Sequence, residues 1–201
     1  MSKKNKTLIL VLMAIIIAVA VIYFVFLNKK SPQQTVEGGE TADANQTLPE
    51  ERTYTLTPSK ENSENNIYAD SQYNFSFEYP KNFTATKFSE GESSDTILVQ
   101  NTDSGQGFQI FVSFFDEPGP LTKERVLQDL PELVMKSPEQ RILKITAPSK
   151  VEGLLFFSEE PSMGETREIW FIYNNYLYQI TTTAAMDSLV AQIIATWKFE
   201  L

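Results

Sequence analysis

Any chemistry in this sequence would have to come from carboxylates, from serine paired with lysine, or from tyrosine, because the 201 residues include no histidine and no cysteine. Histidine is the commonest general base and the commonest metal ligand, so its absence removes both roles at once. The absence of cysteine removes disulfides, thiolate metal centres and thiol nucleophiles. Asp116-Glu117, followed by Pro118-Gly119-Pro120, pairs two acids with a stiff turn. As a site, Asp116 and Glu117 could hold a hard cation such as Ca2+ through carboxylate oxygens. As ordinary structure, the stretch is a solvated connection whose prolines limit its freedom. Asn101-Thr-Asp103-Ser-Gly105 begins like a calcium loop but lacks the later ligands, and reads as a hairpin turn. Glu159 and Glu160 are strand neighbours that point to opposite faces, so they cannot jointly flank a bond.

Serine–lysine catalysis needs a desolvated lysine, whereas Lys123, Lys136, Lys144 and Lys150 all stand beside polar or turn residues. Tyr173, Tyr176 and Tyr178 could stack a ligand or simply pack a hairpin. Gly105-Gln-Gly107 lacks the third glycine and the following helix of a dinucleotide fingerprint. The expectation is therefore no catalytic residue, no cofactor, and no metal site beyond the cation candidates Asp116 and Glu117.

The elements that would carry these residues begin at Ile67. From there 12 Phe, 6 Tyr and 2 Trp fall in 135 residues, and each aromatic side chain buries roughly 150–250 Å². Alternation predicts strands over Phe75–Tyr79, Phe83–Phe88, Asp95–Gln100 and Phe108–Phe115, the last apolar on both faces and so internal to its sheet. A helix is expected from the cap Thr122, presenting Val126, Leu127, Leu130, Leu133 and Val134, with Pro131 kinking it or ending its regular part. Strands follow over Gln140–Ala147 and Lys150–Ser158. In GETREIWFIY-NN-YLYQITTT, Asn174-Asn175 can supply the positive φ angles of a two-residue hairpin turn. That turn sets Tyr173 opposite Tyr176, Phe171 opposite Tyr178 and Ile169 opposite Ile180, all on one face. A second helix, about Met186–Thr196, leads into a last strand over Trp197–Phe199.

Ahead of this domain the chain has another character. Residues 1–7 form a short basic tail, and Leu8 to Leu27 is a run of 20 residues without a charge, Gly or Pro. As a helix the run is about 30 Å long, the thickness of a bilayer core. Its only A-x-A, Ala18-Val19-Ala20, lies inside the run, which favours a retained signal-anchor over a cleaved signal peptide. Lys3, Lys4, Lys6 and the terminal amine precede it and Lys29 and Lys30 follow, an asymmetry that places the N-terminus in the cytoplasm. These five are the only basic residues of the 17 near the span; the other 12 face all 26 acidic ones, a net −14. Such a surface repels nucleic acid and anionic lipid. Residues 28–66 are polar and acidic with few apolar side chains, the composition of a disordered linker.

The order ββββ-α-ββββ-α-β opens on Tyr73-Asn-Phe75-Ser-Phe77-Glu-Tyr79-Pro80 and closes on Thr196-Trp197-Lys198-Phe199. In this it resembles the PsbP-like family, over about 135 residues (67–201). The resemblance implies an α+β domain: an antiparallel sheet of seven to eight strands with helices on its faces, a Mog/PsbP-like α/β/α sandwich, here after one transmembrane helix. The photosynthetic members of that family are cleaved lumenal proteins associated with metal-ion retention partly through histidines. The lack of histidine and the apolar run set this chain apart from them. The expected function is a membrane-anchored extracytoplasmic module, non-catalytic, binding an unknown protein or envelope component and held to the lipid bilayer by residues 8–27. The alternative is a small-ligand or Ca2+-binding ectodomain.

Overall fold

A computed structural model describes residues 65–91, 93–117 and 119–200. The tail 1–7, the span 8–27 and the linker as far as residue 64 lie outside the described residues. Among the described residues no helix is long and apolar enough to cross a membrane.

Among the described residues, ten strands and two α-helices follow in the order β1 (Asn65–Asp70), β2 (Phe75–Pro80), β3 (Thr84–Ser89), β4 (Ser94–Gln100), β5 (Gly107–Phe114), α1 (Lys123–Asp129), β6 (Lys136–Ile142), β7 (Glu152–Glu160), β8 (Gly164–Tyr173), β9 (Tyr176–Thr183), α2 (Asp187–Thr196) and β10 (Lys198–Phe199). A 3-10 turn, Ala184–Met186, leads into α2. Seven strands form one sheet in the order β3-β4-β5-β9-β8-β7-β6, every pair antiparallel. The other three form a second sheet, β1-β2-β10. The aromatic motif Tyr73–Pro80 therefore supplies β2 of a small separate sheet rather than an edge of the large one.

The small sheet and α2 cover one face of the large sheet. Tyr68, Phe75, Phe77 and Tyr79 meet Ile97, Val99, Ile110, Phe171, Tyr178 and Ile180 across that interface, together with Val190, Ile193 and Ile194 of α2. Trp197 is fully buried between the layers, stacked on Phe75 with ring centroids 4.6 Å apart and on Phe77 at 5.2 Å. The opening motif and the closing residues thus meet directly. On the opposite face α1 sets Val126, with Leu121 just before it, against Leu154, Phe156, Trp170 and Leu177. β5 is buried on both faces, with Phe108, Ile110 and Val112 on one and Gln109, Phe111 and Ser113 on the other, so its interior position holds although the second face is partly polar.

The hairpin register is the expected one. Tyr173 pairs with Tyr176, Phe171 with Tyr178 and Ile169 with Ile180, around Asn174 (φ 48°) and Asn175 (φ 61°). Thr122 caps α1, its hydroxyl accepting the Arg125 N–H at 3.2 Å. The helix ends at Asp129, before Pro131, so Val134 is not on its stripe and stands exposed.

Three differences from the sequence-based expectation have physical causes. The strand β1 begins at Asn65, two residues before the expected domain boundary, and its mixed polar sequence gave no strand period. The strand expected over Gln140–Ala147 is divided between the two sheets. β6 ends at Ile142, Leu143 turns inward, and Thr146 bridges in parallel to Lys198 beside β10. Finally, β6 starts earlier than expected, across a register shift between Lys136 and Glu139 that accommodates Pro138 and the positive φ of Ser137. A bulge with proline suits an outer strand, where an unpaired N–H is not needed.

Candidate functional site

Three polar clusters warrant attention, and sequence reasoning anticipated only one. The first lies in the seam between the sheets. Pairing of β3 with β4 sets Lys87 opposite Ile97 and Ser89 opposite Asp95, so Lys87 and Asp95 share the inner face one step apart. From the other layer, β1 ends at Asp70, and the turn after it delivers Tyr73. Lys87 Nζ lies 2.8 Å from Asp70 Oδ2 and 3.1 Å from Asp95 Oδ2, and its side chain is 5% exposed. It also donates to Gln72 Oε1 at 3.1 Å and sits 4.7 Å from the centre of the Tyr73 ring.

Asp70 is held from all sides. The N–H groups of Gln72 and Tyr73 donate to its Oδ1 at 2.9 and 3.2 Å, and the Tyr68 hydroxyl donates to Oδ2 at 3.0 Å. The Tyr73 hydroxyl donates to Asp95 Oδ2 at 2.6 Å. Burial, reinforced by that bond and by the nearby carboxylates, pushes the Tyr73 hydroxyl far above the usual tyrosine range, so its proton stays in place. Two carboxylates and one ammonium in a dry seam are held by geometry, since each buried ion forfeits several kcal/mol of hydration.

The second cluster is on the opposite face, around Glu168 of β8, which is 4% exposed. Its Oε2 accepts from Trp170 Nε1 at 3.0 Å and from the Thr181 hydroxyl at 2.7 Å. Its Oε1 lies 2.9 Å from the Thr166 hydroxyl and 3.1 Å from the Ser158 hydroxyl, which are themselves 2.7 Å apart. Burial raises the Glu168 carboxyl above the ordinary glutamate value, and the four donors only partly offset it. The Ser158 and Thr166 hydroxyls, each within reach of Oε1, are also within hydrogen-bond distance of each other. Gln109 and Gln179 stand on the same face, buried, with amide oxygens that have no hydrogen-bond partner.

The third cluster is the expected candidate, Asp116 and Glu117. Asp116 is exposed and Glu117 half-buried. Both Glu117 oxygens face the Arg125 guanidinium, one from Nη2 at 2.7 Å and one from Nε, and Arg125 also pairs with Asp129 one helical turn on. The hydrogen bond to Glu117, ahead of the one to Asp129, holds Arg125 above its ordinary range. Glu117 is thus engaged by a cation that belongs to the chain. Among the described residues no three acids gather as a metal-binding group.

The other expected groupings separate. Glu159 takes an ion pair with Lys136 on the exposed side, while burial raises the half-buried Glu160 carboxyl. Asn101 closes the β4–β5 turn, its side chain accepting the N–H groups of Asp103 and Ser104. Tyr178 is buried in the core, while Tyr173 stacks on Phe199 at 3.9 Å and Tyr176 meets the Tyr73 ring edge at 5.0 Å. Lys87, Asp70, Asp95 and Glu168 were missed. Their signal was a charge at an inward position of an alternating strand, as in Asp95-Thr-Ile97-Leu-Val99.

No protein-family model matches the chain, and no curated protein matches it. Among solved structures it is similar to the solution structure of cyanobacterial PsbP (CyanoP) from Synechocystis sp. PCC 6803. The likeness has a TM-score of 0.47 and 10% sequence identity, and covers 72% of this chain and 98% of that one.

Proposed function

We propose that the chain is a single-pass membrane protein, anchored by residues 8–27, whose PsbP-like domain is displayed outside the cytoplasm as a non-catalytic interaction module for a protein or envelope component. The observation that carries this reading is the state of the interior charges. Among the described residues five charged side chains are buried: Asp70 and Asp95 are matched by Lys87, Glu168 by its hydrogen bonds, and Arg167 lies 3.0 Å from Asp187 without an aligned hydrogen bond from its Nε. A general base or nucleophile for an external substrate needs a partly solvated group with an open coordination side, and the Lys87 and Glu168 clusters are closed on themselves.

An exposed aromatic side chain supports the interaction reading. Phe114 is 47% exposed at the end of β5, beside the Asn174-Asn175 turn, with the Tyr176 ring 6.1 Å away edge-on. Aromatic side chains of this kind are enriched in the cores of protein interfaces. The apolar run, the basic flanks and the acidic remainder support the anchored, exported arrangement.

A photocrosslinking residue placed at position 114 of the full chain in its native membrane tests the interaction reading. One reproducible adduct formed from position 114 and absent from exposed position 139 is the expected result. Equal labelling from both positions would remove it.

A further inference from the structure

We propose that Lys87 and Asp70 condense with each other into an isopeptide bond, with Asp95 as the proton relay, so that β1 is covalently clipped to β3. A lysine amine, a carboxyl electrophile and a second carboxyl in contact with both the amine and a hydroxyl are the parts that amide formation requires, and here all three charged side chains are at most 5% exposed.

Each contact has a place in the reaction. Lys87 Nζ is 2.8 Å from Asp70 Oδ2, so the carboxyl carbon lies one C–O bond beyond the atom the amine already touches. The oxygen that would become the oxyanion, Asp70 Oδ1, already accepts two backbone N–H groups, from Gln72 and Tyr73. Fixed donors aimed where negative charge develops are the main electrostatic aid to acyl transfer. The departing oxygen, Oδ2, carries the Tyr68 hydroxyl at 3.0 Å. Asp95 Oδ2, 3.1 Å from Lys87 Nζ, can take a proton from the amine and return it to the departing oxygen, while the Tyr73 hydroxyl at 2.6 Å keeps that carboxyl oriented.

The step balances without any further reagent. The ammonium of Lys87 and the carboxylate of Asp70 become a C–N bond; the Cγ–Oδ2 bond breaks, and two protons from Nζ leave with that oxygen as one water. Nothing is oxidised or reduced. The Lys87–Asp70 ion pair is replaced by a neutral amide, and the one charge left, on Asp95, keeps the Tyr73 hydroxyl as a hydrogen-bond donor at 2.6 Å. Held within one fold, the two groups also react as neighbours rather than as partners that must first meet. The clip joins the strand through which the N-terminal part of the chain enters the domain to the outer strand of the large sheet. It would act as a cross-link in a chain that has no cysteine.

The test is the mass of the purified full chain under denaturing conditions, followed by fragmentation of its peptides. The expected result is a chain lighter than its sequence by one water, with a branched peptide joining the segments around Asp70 and Lys87. Asp95→Asn, which leaves both reacting groups in place, should restore the full mass in a protein that still shows the native circular dichroism. Loss of the branched peptide in Lys87→Arg, with full mass, would support the same assignment. A wild-type chain of full sequence mass overturns the proposal and leaves the cluster as an ion network only. A water loss mapped to other residues overturns it as well, and a water loss that persists in Asp95→Asn overturns the relay.

Discussion

Replacing Glu168 by leucine and by glutamine should give opposite results, although both remove the same ionisable group. Glutamine keeps the shape. Its carbonyl oxygen can take the place of Oε2 and accept from Trp170 and Thr181, while its amide N–H groups take the place of Oε1, where the Ser158 and Thr166 hydroxyls can turn to accept. Leucine leaves the Trp170 N–H and the Thr181 hydroxyl buried without an acceptor, whereas Ser158 and Thr166 can still bond each other. At about 1–3 kcal/mol for each orphaned donor, Glu168→Leu should lose roughly 2–6 kcal/mol of stability. Glu168→Gln should stay within about 1 kcal/mol of the wild type in acid.

The pH dependence carries a sign. Folded Glu168 holds its proton above the ordinary value of 4.5, so between 4.5 and its raised value the folded chain binds more protons than the unfolded one. Stability from this group is therefore full below 4.5 and is lost as the pH rises. Relative to Glu168→Gln, the wild type should lose stability on going from pH 4 to pH 8. Urea titration of residues 65–201, followed by tryptophan fluorescence at several pH values, measures both effects. Equal midpoints for the leucine and glutamine variants would refute the hydrogen-bond argument. A wild type that gains stability over glutamine with rising pH would refute the upward shift of the Glu168 carboxyl.

Three further predictions concern other parts of the molecule. At Gly107 an added Cβ would lie 2.3 Å from the Val99 carbonyl oxygen, so Gly107→Ala should cost about 1–3 kcal/mol by forcing β4 and β5 apart; an unchanged thermal midpoint would contradict that packing. Thr122→Ala removes the acceptor for the Arg125 N–H and should cost about 1 kcal/mol, whereas Thr122→Asp should cost much less, as denaturant titration would show. Because Arg125 already occupies Glu117, millimolar Ca2+ should leave the melting temperature unchanged; an upward shift would restore the cation reading of Asp116 and Glu117.

Local patterns were legible where local physics decides the outcome. The Asn174-Asn175 turn, its three cross-strand pairs, the Thr122 cap and the helix carrying Val190 and Ile194 all follow from residues close in sequence. What escaped depends on partners far along the chain. The alternation that puts Ile169 and Phe171 on one face leaves Thr166, Glu168 and Trp170 on the other, and nothing in β8 alone says that α1 and its neighbours cover that side as well. Lys87 looks like an ordinary surface lysine until β1 is recognised as a strand, and β1 shows too few apolar residues to announce itself. The seam needs both hairpins and the stacking of two sheets before its three charges meet. Leu143–Ala147 was misassigned for a related reason. Its strand-like residues do pair, but Thr146 pairs with Lys198, more than fifty positions away, and in the other sheet.

The anchored, exported arrangement is the claim on which the functional reading depends, and fusion of a reporter to the C-terminus of the full chain tests it most directly. An enzyme that matures only outside the cytoplasm should be active in that fusion, and a fluorescent protein that matures only inside should be dark. The reverse pattern, a dark enzyme and a bright fluorescent protein, would put the acidic domain in the cytoplasm and contradict the account.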